Sequence, residues 1–179
     1  MMKQLLVLAF CFALASCKSE PSLQKYFVEK TEENNFIAVD VSPTMFNIDK
    51  SKLTAEEFQA METLDKINIL AFPLTDSTRA QYDTERAKVD EILQDKKYQE
   101  LMHFGSGKNG ASVSFVGDEN HIDEFVLFAK SDESGFAVVR ILGKDMNPTA
   151  IVTMMSVLKE SNMNLDQLKP LQDMFNKNL

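Results

Sequence analysis

The stretch 111–142, ASVSFVGDENHIDEFVLFAKSDESGFAVVRIL, decides the fold of this 179-residue chain. It contains three runs rich in β-branched and aromatic residues, 111–116, 122–129 and 136–142. The connections between these runs are short and rich in Gly, Asp, Glu and Ser, so neighbouring runs must pair antiparallel. The stretch therefore predicts a three-stranded antiparallel meander near the C-terminal end of the domain.

The sequence before the meander predicts further strands. Residues 36–41 and 67–72 are rich in β-branched and apolar residues, and Pro43 and Pro73 follow them. Residues 101–104 either end a helix or begin a strand, and the glycine-rich loop after them favours a hairpin. We therefore expect five or six strands.

Helix signals lie between and after these strands. Thr54 and Glu57 form a capping box, with Leu53 and Phe58 at the hydrophobic-staple positions. The helix that follows should face the core with Phe58, Met61 and Leu64. Asp76 or Ser77 should cap a second, charged helix that runs to about residue 95. Its expected apolar stripe consists of Tyr82, Val89, Ile92 and Leu93.

The chain should begin its domain with a helix over 23–33 and end it with two helices. Asn147 and Pro148 suit the cap and first position of the penultimate helix, while Pro170 interrupts the last segment, 165–175. The core-facing residues expected on the penultimate helix are Ile151, Met154, Met155 and Leu158. Overall we predict a single α+β domain over 23–179. It should have a mixed sheet, an antiparallel C-terminal meander and helices packed on one face.

The amino-acid composition argues against several classes of function. The chain has 27 Asp+Glu against 19 Lys+Arg and a formal net charge of −8. This charge argues against nucleic-acid binding, which requires clustered cations, and against electrostatic adsorption to anionic lipid. Both cysteines, Cys11 and Cys17, lie in the first 17 residues, so the remaining chain can form neither a disulfide nor a cysteine metal site.

The N-terminus has the pattern of an exported protein. A short positive start precedes an apolar run over 5–14, which is too short to span a bilayer but suits a secretory signal. The run ends in Leu14-Ala15-Ser16-Cys17, which resembles the bacterial lipobox. The resemblance implies a signal peptide over 1–16 that is cleaved before Cys17. It also implies a lipidated Cys17 and a polar tether over 17–22.

Several segments together resemble the Bacteroidota lipoproteins catalogued as domain of unknown function 4252. The resemblance is carried by segments 36–41, 66–72, 98–102, 125–128 and 141–143. It implies that residues 98–104 run from a helix end into a strand, and it supplies no catalytic residue. Genes of this family can neighbour sigma-factor genes, which implies a link to envelope signalling.

Few residues suit catalysis or metal binding. His103 and His121 lack ligand spacing, and we interpret them as incidental. The glycine-rich segment 105–110 lacks phosphate-loop spacing and precedes a strand, so we expect a turn. The Asp and Glu residues between 118 and 133 suit weak Ca²⁺ capture or, as we favour, charged turn tips that keep hairpins soluble. Six carboxylates belong to this set: Asp118, Glu119, Asp123, Glu124, Asp132 and Glu133.

Five methionines lie in the C-terminal part of the chain. They could line an adaptable binding groove or, as we favour, pack in the core. They are Met146, Met154, Met155, Met163 and Met174. Any partner-binding surface is expected where the helix that carries Met154 and Met155 leaves the sheet.

We therefore expect a lipid-anchored, non-enzymatic binding or structural module of the bacterial outer membrane, facing the periplasm rather than the cell surface. Its expected partners are the membrane, through Cys17, and an envelope protein of unknown identity. We assign no catalytic residue, metal or cofactor. The alternatives are an envelope-stress component acting through protein contact and a periplasmic enzyme that uses carboxylates. A cleft holding carboxylates with raised pKa would favour the enzyme, whereas an exposed apolar patch would favour partner binding.

Overall fold

The computed structural model describes residues 21–46, 48–119, 121–160 and 169. These residues form four helices and six strands, with 3-10 turns at Pro43–Phe46 and Lys50–Lys52. The elements in chain order are α1 (Leu23–Lys30), β1 (Ile37–Val41), α2 (Ala55–Glu62), β2 (Leu64–Pro73), α3 (Arg79–Leu93), β3 (Gln99–Ser106), β4 (Asn109–Asp118), β5 (His121–Ser131), β6 (Gly135–Met146) and α4 (Pro148–Glu160).

The six strands form one sheet in the order β1-β2-β6-β5-β4-β3. The α+β class, the strand number and the C-terminal meander are confirmed. Each pairing between these strands is antiparallel, so the sheet is not mixed as we expected. The connection 42–63 reverses the chain direction between β1 and β2, although its length would also have allowed a parallel crossover.

Helices cover both faces of the sheet and not one. Leu70 and Phe72 of β2 pack with α1 and α3 on what we call the first face. Ala71, which lies between them, packs with α2 and α4 on the second face. Successive strand residues point to opposite faces, and the central strands are apolar on both sides. A continuous apolar strand therefore requires cover on each face.

An aromatic cluster fills the first face. The rings of Phe72 and Phe136 stack with their centroids 5.4 Å apart, and the ring of Phe36 meets Phe72 edge-on at 5.0 Å. Tyr82 of α3 joins this cluster and donates a hydrogen bond from its hydroxyl to the Ser131 carbonyl at 2.9 Å. These contacts fix α3 against β2 and β6.

The helix starts confirm two predictions and correct one. The capping box of Thr54 and Glu57 is present at α2, and the Asn147 side chain accepts a hydrogen bond from the Ala150 amide at the start of α4. Helix α3 begins after Thr78, not at Asp76 or Ser77. Thr78 is buried because its hydroxyl bonds within the turn that leaves β2, whereas Asp76 and Ser77 face solvent.

Two expected core residues are exposed instead. Met155 is 56 % exposed, because α4 buries Ala150, Met154 and Val157, a face rotated away from Met155. Phe58 is 42 % exposed and lies under the Lys50 ammonium, 5.3 Å from its ring centroid. Apart from Lys169, the expected segment 165–175 lies outside the described residues, as do the N-terminal residues 1–20.

Candidate functional site

Strand β3 forms one edge of the sheet and is exposed on both faces. Residues 99–105 are all exposed. Three of them carry large apolar side chains, Leu101 (41 % exposed), Met102 (51 %) and Phe104 (54 %), which we call the edge patch. Edge strands are commonly protected from pairing by Lys or Pro, and the sequence of β3 contains neither. This strand therefore offers an apolar edge to another chain.

The opposite edge of the sheet is protected. Strand β1 has five residues, carries Asp40 and is followed by Pro43. Its apolar residues Val39 and Val41 are buried. Short length, charge and proline are the usual means of blocking edge pairing. The two edges thus differ in chemistry, and β3 is the edge suited to binding.

The β3–β4 hairpin has a tight turn and a bulge. Within the predicted loop 105–110 the turn itself is Gly107-Lys108; Gly107 has a φ of 62°, and Gly105, at the end of β3, has a φ of 74°. A register shift between Glu100 and Met102 places a bulge at Leu101. Beyond this bulge, Met102 pairs with Val113 and Phe104 pairs with Ala111. The predicted hairpin is therefore confirmed.

The edge patch continues into a half-open region of the second face. Directly opposed strand residues share a face, so Met102 and Phe104 lie on the same side as Val113 of the second-face cluster. The neighbouring rows of the sheet are apolar and incompletely covered, and we call them the apolar band. The band consists of Ala111, Val113, Leu127, Ala129, Ala137 and Val139.

The matching region of the first face is closed. Val126, Phe128, Phe136 and Val138 lie on the same strands β5 and β6, and each is at most 3 % exposed. Helices α1 and α3 cover them, whereas α2 and α4 leave most of the apolar band only partly buried. Together with the exposed edge patch, this partly open apolar surface is suited to interaction with another chain.

The two histidines are not brought together. The Nδ1 atom of His103 lies 3.6 Å from a Glu100 carboxylate oxygen, and that of His121 lies 3.3 Å from Asp118, both at exposed positions. His103 sits opposite Ser112 and His121 opposite Asp118, so about six residues of β4, roughly 20 Å, separate them. The geometry supports no shared site for the pair.

The six predicted carboxylates also do not converge. Asp118 and Glu119 lie at one end of β5 and Asp132 and Glu133 at the other, about 35 Å away along eleven residues. Glu124, between them, is paired with Arg140. The described residues contain no group of three or more His, Cys, Asp or Glu side chains that could hold a metal ion.

A polar cleft of about 460 Å³ lies between α2 and α4. Carboxylates of Glu56, Glu119 and Asp145 line it, together with hydroxyls of Thr63 and Thr149. Asp145 has a left-handed φ of 53°, a conformation that Asp tolerates better than most residues. The enzyme alternative would use this cleft or another cavity that carboxylates border, such as the smaller one of about 200 Å³ lined by Asp90, Glu100 and His103.

The methionines divide between core and surface. Met146 is fully buried and Met154 is 2 % exposed, so the core-packing interpretation holds for these two. Met155 is exposed, beside Val152 at 69 % exposure. Met163 and Met174 lie outside the described residues. The exposed pair on α4 forms a second, smaller apolar surface.

Sequence reasoning missed a polar centre on the first face. The Arg140 guanidinium donates to Glu124 through Nε at 2.6 Å and Nη2 at 3.2 Å, and through Nη1 to the Gln24 amide oxygen at 2.8 Å. It also lies 5.2 Å from the Phe27 ring centroid. Arg140 is 3 % exposed, and this pairing fixes α1 to the sheet. The sequence does contain one indication of this centre, because Arg140 is a single charged residue within the otherwise apolar run 136–142.

A second missed cluster joins α1 to α3. Glu85 is buried and accepts hydrogen bonds from the Tyr26 hydroxyl at 3.0 Å, Lys30 at 3.3 Å and Lys88 at 2.7 Å. Burial alone would raise the Glu85 pKa, but these three donors outweigh it and hold the pKa below its ordinary value. Burial and the neighbouring Glu85 charge raise the pKa of Tyr26.

Comparison with known proteins places the chain in a family. Residues 26–154 match the model of a domain of unknown function, DUF4252. The chain belongs to this family. The DUF4252 region runs from within α1 to the middle of α4, so it includes the whole sheet, the edge patch and both polar clusters except Gln24. No curated protein and no solved structure matches the chain.

The lipidation prediction falls outside the described residues, because Cys17 precedes residue 21. Among the helices that the structure describes, none is long and apolar enough to cross a membrane.

Proposed function

We propose that this DUF4252 protein is a lipid-anchored binding module of the bacterial outer membrane that acts through protein contact at the edge patch. The observation that carries the proposal is the exposed apolar strand β3, which continues into the apolar band. Exposed backbone along an edge strand can pair with a strand of another chain, and adjacent apolar side chains supply affinity. A partner-binding role explains why this edge exposes Met102 and Phe104 and has no Lys or Pro, although Glu100 and the Leu101 bulge lie near its start.

The buried carboxylates favour binding over catalysis. A carboxylate acts best as a catalytic acid or base near neutral pH when its pKa is raised, whereas donors lower the pKa of Glu85. Glu124 is held by two nitrogen atoms of Arg140 and is likewise engaged in the structure. These buried groups therefore suit attachment of α1 to the rest of the domain.

The anchor part of the proposal rests on the lipobox-like residues Leu14-Ala15-Ser16-Cys17. Several acyl chains give stable membrane attachment, whereas the acidic chain would not adsorb to anionic lipid by charge. A position facing the periplasm, and a role in envelope-stress signalling through protein contact, remain parts of this proposal. The tether over 17–22 has six residues and holds the domain close to the membrane.

Replacing Cys17 by serine tests the anchor. We expect the wild-type protein in the membrane fraction, and we expect the Cys17→Ser protein either in the soluble fraction or as an uncleaved precursor, because the residue after the cleavage site then has no thiol to carry lipid. Cys11→Ser is the matched control and should leave fractionation unchanged. A Cys17→Ser protein that is processed and still sediments with membranes would contradict the proposal. Crosslinking from β3 in intact cells tests the binding part.

A further inference from the structure

We infer that the occupant of the β3 edge is a second copy of this chain, which pairs antiparallel with β3 about a two-fold axis at His103. The inference rests on the proposed function and names the partner of that site. In a symmetric pair of strands, each residue faces a counterpart at the same distance on the other side of the axis. Centring on His103 therefore places Met102 opposite Phe104 of the second copy, and Phe104 opposite Met102.

This register matches the chemistry of the strand. Met102 and Phe104 both lie on the second face, as their partners Val113 and Ala111 show, so the two apolar residues of each copy meet on one side. Contact between a thioether and an aromatic ring is favourable. The apolar band of one copy would then continue through Phe104 and Met102 into the band of the other copy.

The charge distribution also favours self-pairing at this strand. The chain carries a net charge of −8, so most contacts between two copies would oppose acidic surfaces. Within β3 the sequence has one acid, Glu100, beyond the Leu101 bulge and outside the central pairs. The central pairs, 102 with 104 and 103 with 103, contain no carboxylate. Strand β3 thus lets two copies meet without facing carboxylates.

The paired area is small, so the dimer should be weak in solution. An edge-strand contact lies at the lower end of stable interfaces, below about 1,200 Å². Tethering both copies to one membrane would raise their effective concentration and favour pairing. Measurements on the full chain should therefore cover a wide concentration range.

Cysteine crosslinking tests the register. In the full chain carrying Cys11→Ser and Cys17→Ser, purified in detergent, a cysteine at His103 would be the sole thiol. Its Cα would lie about 4.5–5.5 Å from its counterpart, within disulfide range. A cysteine at Met102 would lie diagonally from its counterpart, about 7–8 Å away, and should not crosslink. Mild oxidation should therefore give a covalent dimer with His103→Cys and little with Met102→Cys.

Two further variants complete the experiment. Ala38→Cys, at an exposed position on the protected edge β1, should give no dimer. Phe104→Glu, at a site that is half exposed, should retain the folded circular dichroism spectrum and raise the dimer dissociation constant by about tenfold or more.

Absence of the His103→Cys dimer, or equal yields from positions 38, 102 and 103, would overturn the self-pairing inference. Crosslinking of β3 to a different, identified protein in cells, with no chain-to-chain product, would also overturn it. That second result would leave the proposed binding role of the strand standing, so the two failures are distinguishable.

Discussion

Replacing Arg140 by leucine is expected to lower the free energy of unfolding by about 3–5 kcal/mol, because it leaves Glu124 charged and unpaired in a largely buried position. The side chain of Glu124 is 12 % exposed and that of Arg140 is 4 % exposed, so water cannot replace the lost partner. For a chain of this size, the loss corresponds to a fall in Tm of roughly 10 °C. Urea unfolding of the variant and the wild type measures the difference.

Two control variants distinguish loss of the Arg140–Glu124 ion pair from non-specific destabilisation. Arg140→Leu combined with Glu124→Leu should recover most of the loss, because no uncompensated charge remains. Lys50→Met removes an ion pair of similar length, 2.8 Å, whose partners are 67 % and 54 % exposed, and should cost below about 1 kcal/mol. A cost for Arg140→Leu as small as that of Lys50→Met would refute the buried polar centre.

Replacing Glu85 by glutamine is expected to cost about 2–3 kcal/mol at pH 7, because Tyr26, Lys30 and Lys88 lose their common charged acceptor. Lys30 keeps Glu33 at 2.7 Å, which limits the loss. The variant should loosen the attachment of α1 to α3 before the sheet itself unfolds. Amide hydrogen exchange in α1, compared with β5, measures this local effect.

Glu85 also makes the stability of the domain depend on pH in a predictable direction. The Glu85 pKa is lower in the folded protein than its ordinary value of 4.5, so its stabilising contribution is present above pH 4.5. The contribution is lost as the pH falls from 4.5 through the folded pKa. Wild-type stability should therefore decline below pH 4.5, and Glu85→Gln should flatten part of that decline. Identical pH profiles for the two proteins would contradict the assigned role of Glu85.

The upper end of the pH range in which the Glu85 cluster stabilises the domain is set by its donors Tyr26 and Lys30. Burial and Glu85 raise the Tyr26 pKa, and the ion pairs with Glu33 and Glu85 raise that of Lys30 despite its burial. Groups whose pKa is raised on folding contribute stability below their ordinary values, here 10.0 and 10.5, and lose it as the pH rises further. The cluster should therefore stabilise the domain between about pH 4.5 and pH 10.

Local signals in the sequence were sufficient to predict the caps of α2 and α4 and the meander. The capping box of Thr54 and Glu57 depends on residues three apart, and the strand runs depend on neighbouring residues, so both can be read without tertiary structure. The α3 cap could not be read in this way. Thr78 displaces Asp76 and Ser77 because its hydroxyl bonds back to the Pro73 carbonyl at the end of β2.

Contacts between distant residues explain what the sequence did not reveal. Arg140 and Gln24 are 116 positions apart, and Tyr26 and Glu85 are 59 apart, so no local pattern pairs them. Exposure of Met155 depends on which side of α4 meets the sheet, which a helical period alone cannot determine. The edge patch also required the strand order, because β3 is an edge only once β4 is known to be its one neighbour among the described strands.

Photocrosslinking from β3 in intact cells tests most directly whether the edge patch is a binding site. A photoreactive residue at Leu101 should give a discrete adduct whose second component, a partner protein or another copy of the chain, is identified by mass spectrometry. Phe104→Glu in the same chain should abolish the adduct, and a photoreactive residue at Val152, exposed on α4, should not form it. If Leu101 yields no identified adduct beyond that from Val152, the edge patch is not the interaction site and the account is contradicted.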